Sequence, residues 1–351
     1  MNRLKYFLTG SFLTIIILIG IFGYRQSIFS NETLPYDDEQ KDLNRQITIH
    51  FSHVVAENTP KGMAAEKFAQ LVEQKSNGRV IVQVYPNGML YNDETEFEAL
   101  QDGEIQMIAP TNSKMTSLLP DWQILDLPYI IETQDQLKNV LHGDLSQQLL
   151  AELKSINVKG LTFWSNGFKQ IAASSSPIIE VDQFQNKRIR MMPSDILEKQ
   201  FTLLGAEPVS ISFSDVFYEL QNNIVDAQEN TISNIYSKQF HTMENNITLS
   251  NHGILCYAVM INEQFWNDLD PEVQKIIVDS LDEMKDWQHD FAIELNKNDL
   301  KYLSEYENVT LYELDETNKK EWKEKLEPLY DYYSSNVNEE YFTELLQEVN
   351  K

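Results

Sequence analysis

The apolar positions of this chain change period several times, and each change marks an element. Gln46-Ile47-Thr48-Ile49-His50-Phe51 alternates polar and apolar residues, which predicts a strand. Thr59 and Pro60 then form an N-cap and first-turn pair. Met63, Ala64, Phe68, Leu71 and Val72 follow at helical spacing, and Asn77-Gly78 closes that helix. Residues 80–85 predict a second strand, 95–101 a helix and 105–109 a third strand. Strand, helix, strand, helix, strand predicts a parallel α/β sheet.

A second α/β set follows. It has predicted strands at 158–164, 171–173 and 188–192, then a helix from near Ser194 to Leu204 that Gly205 stops. A helix over 213–221, a short strand at 225–227 and a strongly apolar strand at 255–261 complete it. From Pro271 onward Val273, Ile276, Ile277, Leu281, Met284, Trp287, Phe291 and Leu295 recur at steps of three or four. That is one amphipathic helix, long enough to span two lobes. Residues 308–351 predict a strand and short helices. Two α/β sets predict two lobes joined by a hinge, with a ligand crevice where strand ends and helix N-termini meet. The expected division is lobe I at about 46–166 plus 255–290, and lobe II at about 167–254 plus 291–351.

The start of the chain differs in kind. Arg3 and Lys5 precede an apolar run that extends to Phe22. A basic flank before such a run predicts an export signal or an uncleaved membrane anchor over residues 1–23. No Ala-x-Ala-like cleavage site follows, and no lipidation cysteine, which favours the anchor. Residues 24–45 are polar and acidic and predict a linker.

Charge narrows the function. The chain carries 54 acidic and 28 basic residues, a formal net charge of −26. Such a surface repels nucleic acid and anionic lipid. It would also repel an anionic ligand, so capture of one requires isolated cations inside a cleft. The one cysteine, Cys256, sits in an apolar strand and excludes an internal disulfide or multi-cysteine metal site. The chain has no nucleophile elbow, phosphate loop or dinucleotide fingerprint. Its six histidines show no zinc-binding spacing. Neither enzyme chemistry nor a cofactor or metal is expected.

Several segments in register resemble one family. Trp164-Ser165-Asn166-Gly167-Phe168-Lys169-Gln170 is similar to the W-x-N-G-F-K-Q segment of TRAP-transporter solute-binding proteins of the DctP type. Lys187 to Met191, Leu204-Gly205-Ala206-Glu207-Pro208, Phe213 to Gln221 and Val225 to Asn230 resemble the segments that follow in that family. Phe51 to Ala56 and Tyr85 to Leu90 match its beginning, and the likeness covers about residues 46–300. Ala227 and Thr231 stand where the family usually has Gly and Pro. The resemblance implies a periplasmic-binding-protein-like α/β fold and an extracytoplasmic subunit that binds malate, succinate or fumarate. It implies TRAP membrane subunits as partners and a monomer. A sensing subunit that presents a dicarboxylate to a membrane histidine kinase, or a binder of another organic acid such as a 2-oxo acid, is the alternative; an extracellular hydrolase ranks last.

The resemblance also implies roles. Arg190 would hold a ligand carboxylate through two parallel charge-assisted hydrogen bonds; without the family it reads as an exposed strand residue. Lys169 would supply the second cation, since dicarboxylate-type relatives tend to carry Lys there and sugar-acid binders Arg; otherwise it is a solvated turn residue. Asn230 would donate to the same carboxylate as Arg190, or cap the next segment. His53 and Tyr236 would hydrogen-bond from the rims of the cleft. Thr111, at a strand end, would touch ligand, Glu94 would contact a ligand hydroxyl or cap a helix, and His252 would touch ligand or stabilise the hinge.

Overall fold

The computed structural model describes residues 46–351. The anchor or signal expected at 1–23, and the linker at 24–45, lie outside the described residues. Among the described residues no helix is long and apolar enough to cross a membrane.

β1 (Ile47–Ser52) leads into α1 (Pro60–Lys75), where the Thr59 hydroxyl accepts the Gly62 N–H as the N-cap pattern predicts. β2 (Val80–Tyr85), α2 (Glu96–Gln101), β3 (Met107–Ile108) and α3 (Asn112–Met115) complete the first set. α4 (Gln134–His142) and α5 (Asp144–Glu152) precede the long strand β4 (Val158–Ala173). Then come β5 (Arg188–Met191), α6 (Asp195–Leu204), β6 (Glu207–Ser210), α7 (Val216–Gln221), β7 (Ala227–Thr231) and α8 (Ile232–Ser237). A second long strand, β8 (Asn246–Asn262), is followed by α9 (Glu263–Asp268), α10 (Pro271–Ser304) and β9 (Thr310–Glu313). α11 (Glu316–Leu326), α12 (Pro328–Asn336) and α13 (Glu339–Val349) end the chain.

The strands lie in the order β2-β1-β3-β8-β4-β7-β5-β6, with β9 beside β8. β1, β2 and β3 are mutually parallel at one end; β5, β6 and β7 are parallel at the other. β4 and β8 run antiparallel to each other through both sets. The first part of β4 pairs with the last part of β8, next to β3; the last part of β4 pairs with β7 and the start of β8. Two half-sheets therefore share two continuous strands, the frame of a two-lobed α/β fold.

The two strands expected at 158–164 and 171–173 are this single strand β4. The register slips between Ser165 and Gly167 and again between Lys169 and Ile171, and Gly167 has φ +97°. A bulge with a polar Ser-Asn-Gly insert breaks the apolar alternation without ending the pairing. For the same reason only 255–261 of β8 was legible: its first half carries Ser250, Asn251 and His252.

α10 has 34 residues, about 51 Å of helix at 1.5 Å per residue. It packs on α1, on β4 and on α8, so it lies along both sets. Its polar grips sit at the bulge. Gln288 accepts the Ser165 N–H at 2.9 Å and donates to the Ser165 carbonyl at 2.7 Å. Asn296 donates to the Asn166 carbonyl and accepts the Ser233 N–H, both at 2.9 Å.

The C-terminal helices touch both ends of the sheet. Trp322 of α11 is buried, meets Phe184 edge-on at 4.8 Å and donates Nε1–H to the Ile179 carbonyl at 2.8 Å. α13 packs on α4 and α5, and Tyr341 donates to Glu152 at 2.8 Å. Replacing Trp322 by Ala removes both the ring and the hydrogen bond. We expect Trp322→Ala to cost about 3–5 kcal/mol of unfolding free energy, measured by urea denaturation.

Candidate functional site

A buried cavity forms where the end of β3, the first turn of α1, the loop before α2 and α3 face β5, β7 and the middle of β8. Its apolar wall includes Val54, Val55, Met192, Phe213 and Leu255. Its polar wall contains Lys61, Lys114 and Arg190, two carboxylates, Asp93 and Glu96, and Thr111, Asn230, Asn234 and Tyr257.

Lys61 comes from the first turn of α1 and is fully buried. Gly62 lets that turn lie against the preceding loop: a Cβ there would stand 2.4 Å from the carbonyl oxygens of Ala56 and Glu57. The Lys61 ammonium donates to the Ala109 carbonyl at 2.8 Å and lies 3.9 Å above the Tyr257 ring. Burial pushes its pKa down to about 8, against the opposing pull of Glu96 and Asp93.

Arg190 is 2% exposed. Its Nε and Nη2 both donate to the Ile211 carbonyl, at 3.1 and 2.9 Å. Burial lowers its pKa while Glu229 and Asp93 raise it, and a guanidinium stays charged regardless. Lys114 stands 3.6 Å from Asp93.

Asp93 reaches across the cleft. It accepts the Phe213 N–H at 2.8 Å and the Ser214 hydroxyl at 3.2 Å. Burial works to raise its pKa, but Lys114 and these donors outweigh it and hold the carboxyl below its ordinary range. Glu96 behaves oppositely. It is 1% exposed, and neither carboxylate oxygen has a hydrogen-bond partner. Burial raises its pKa to about 7, Lys61 opposing and Asp93 adding to the rise.

Three expected site residues line this cavity: Arg190, Asn230 and Thr111. The Asn230 side-chain oxygen accepts the Thr231 N–H and an Asn234 amide hydrogen, at 3.0 and 2.9 Å, so it also organises the start of α8. His53 is buried and does not line the cavity. Burial, with Lys61 adding, pushes its pKa down to about 3, so the ring is neutral.

The other expected residues lie elsewhere. Glu94 is exposed and its N–H is bound by Asn92; its neighbours Asp93 and Glu96 take the cavity positions. Tyr236 stacks between Tyr302 of α10 and His241, at 5.7 and 6.1 Å. Lys169 and His252 do not line the cavity but join Glu229 in a buried cluster on β4, β7 and β8. Lys169 Nζ lies 2.9 Å from Glu229 Oε2, and His252 Nε2 donates to the same oxygen at 3.0 Å. His252 Nδ1 lies 2.7 Å from the Ser250 hydroxyl; burial lowers the ring's pKa, and in the neutral ring Nδ1 accepts from Ser250 while Nε2 donates to Glu229. Burial alone would raise the Glu229 pKa, but Lys169 and His252 outweigh it and hold the carboxyl at about 2.

Lys61, Lys114, Asp93, Glu96, Asn234 and Tyr257 were not read from the sequence as site residues. Lys61 carried a usable signal: a lone cation followed by Gly-Met-Ala-Ala, the apolar context that capture of an anion requires. Glu96 and Asp93 carried none, because acidic residues at a helix start are ordinary capping residues.

Residues 51–336 match the bacterial extracellular solute-binding protein family 7, the DctP family. The chain is 45% identical over 317 residues to the C4-dicarboxylate-binding protein DctB of Bacillus subtilis, covering 90% of this chain and 91% of that one. Its fold superposes on a TRAP periplasmic solute-binding protein of Shewanella oneidensis with bound succinate. There the TM-score is 0.83 and the identity 35%, over 87% of this chain and all (100%) of that one. A TRAP periplasmic solute-binding protein of Pseudomonas aeruginosa with bound L-malate gives a TM-score of 0.79 at 31% identity, over 82% of this chain and 100% of that one.

The Glu229 cluster sets an acid limb of stability. Its folded pKa of about 2 lies below the ordinary 4.5, so the pair contributes fully above pH 4.5 and its contribution is lost as pH falls toward 2. Lys169→Ala leaves the buried carboxylate without its cation and is expected to cost about 3–5 kcal/mol at neutral pH. Glu229→Gln should flatten the acid limb between pH 4.5 and 2. Urea midpoints across that range check both.

Proposed function

The chain belongs to the bacterial extracellular solute-binding protein family 7, and we propose that it captures a C4-dicarboxylate such as succinate or malate and hands it to the membrane subunits of a TRAP transporter. The family is one of transport binding proteins, not of enzymes, and the chain performs no chemical step. The observation that carries the ligand class is the set of three cations, Lys61, Lys114 and Arg190, around one buried cavity in a protein of net charge −26. A surface so acidic does not gather anions, so these cations serve a bound anion.

Arg190 takes one carboxylate. The Ile211 carbonyl occupies its Nε–Nη2 edge and fixes the guanidinium plane, and the opposite edge meets two carboxylate oxygens in parallel. Asn230 and Thr111 donate beside it. Lys61 and Lys114 take the second carboxylate, in place of Lys169, whose charge is committed to Glu229. Lys169, Glu229 and His252 brace the crossing strands.

Binding proceeds by closure. The ligand enters between the half-sheets, and the swing about the β4 bulge brings Asp93 onto Phe213 and Ser214. Removal of water then strengthens each charge pair. The lobe boundaries fall near residues 166 and 254, where β4 and β8 cross the bulge. The working unit is a monomer outside the cytoplasmic membrane, held there by the segment 1–23.

Calorimetric titration with succinate, L-malate and fumarate tests this reading. Arg190→Ala and Lys61→Ala each truncate one partner of a buried charge pair. Each is expected to weaken binding about 30-fold or more, with an unchanged far-UV spectrum. Unchanged affinity in both, or no binding of any of the three acids by the parent protein, overturns it.

A further inference from the structure

The cavity does not balance a dianion as it stands. Lys61, Lys114 and Arg190 face Asp93 and Glu96, and three cations against two ionised carboxylates leave a surplus of one. A C4-dicarboxylate brings two negative charges. One more unit of positive charge must appear, or one negative charge must go.

The two carboxylates are not equivalent. Asp93 is used as an anion: it pairs with Lys114 at 3.6 Å and accepts from Phe213 and Ser214. Glu96 is buried at the cavity wall with both oxygens unpartnered. An ionised carboxylate without donors beside an incoming dianion is strongly disfavoured, whereas a protonated one is neutral. We propose that Glu96 takes up one proton as the dianion binds, so that the occupied cavity presents two net positive charges to two negative ones. This rests on the dicarboxylate reading above and specifies the protonation state of the occupied site.

The groups around Glu96 support the assignment. Lys61 from α1 and Lys114 from α3 draw its pKa down, and Asp93 from the preceding loop pushes it up. The buried His53 ring is neutral, and Arg190 stands in the same cavity with its charge fixed. Burial dominates and pushes the Glu96 carboxyl up to about 7. A dianion beside it raises that value further. Proton uptake is therefore largest above pH 7, where the free site has lost the proton. Affinity should fall about tenfold per pH unit there and level off below pH 7. Lys61, at about 8, adds uptake of its own at higher pH, which makes pH 7.5 the discriminating condition.

The test is titration of succinate into the full chain at pH 7.5, in two buffers of different ionisation enthalpy. The difference in heat counts the protons. We expect uptake of well over half a proton in the parent and less in Glu96→Gln, where Lys61, its pKa lowered further by loss of the Glu96 charge, is the group left to take one up. Glu96→Gln, fixed in the neutral state, should bind succinate more tightly than the parent at pH 8, by less than tenfold because the Lys61 pKa falls with loss of the Glu96 charge, and equally near pH 6. Binding with no proton uptake overturns the proposal while leaving the dicarboxylate reading intact. Should Glu96→Gln fail to fold, infrared difference spectra of the parent decide. A protonated carboxylic acid band gained with succinate at pH 7.5 supports the proposal, and its absence overturns it. Failure of succinate, L-malate and fumarate to bind overturns both.

Discussion

A buried cation can serve a ligand only if the protein holds it without neutralising it. Arg190 and Lys61 meet that constraint in the same way. Each is desolvated, and each is held mainly by a neutral acceptor: the Ile211 carbonyl for the guanidinium, the Ala109 carbonyl and the Tyr257 ring for the ammonium. Backbone carbonyls orient a charge and offset part of its lost hydration, but they leave its net value unchanged. Lys169 shows the contrast. It is equally buried, but its partner is the Glu229 carboxylate, so its charge is cancelled.

The frame explains why such cations meet. Lys61 enters from a helix start beside β1, Thr111 from the end of β3, and Arg190 and Asn230 from β5 and β7. These positions belong to opposite halves of one sheet and come together because β4 and β8 pass through both. Asp93 then ties the first half to the second through the Phe213 backbone. The cavity thus lies between the two halves, and Asp93, which lines it, also ties them together.

Much of the frame was legible from periodicity alone: the N-cap at Thr59, the long helix from Pro271 and the α/β alternation are local signals. The fusion of two expected strands into β4 was not, because Ser165-Asn166-Gly167 reads as a break when only the polar pattern is available. Arg190 was legible only through the family resemblance, since a lone arginine in a strand looks exposed. Lys169 lies outside the cavity, and the same resemblance gives no view of Glu229, some sixty residues on, as its partner. Glu94 and Tyr236 also lie outside the cavity: neighbours one or two residues away, Asp93, Glu96 and Asn234, take the cavity positions. Within a helix or turn, a shift of one residue changes the face, and resemblance at motif level does not resolve that.

The paired grips of α10 on the bulge carry a mechanical meaning. Gln288 and Asn296 bind the backbone of Ser165, Asn166 and Ser233 through four hydrogen bonds, all at the crossover between the halves. Shear of one half past the other would break these bonds together. A rotation centred on the bulge would displace these atoms least. These bonds therefore oppose sliding of the halves more than turning about the bulge, and α10 stands where the pin of such a joint would be.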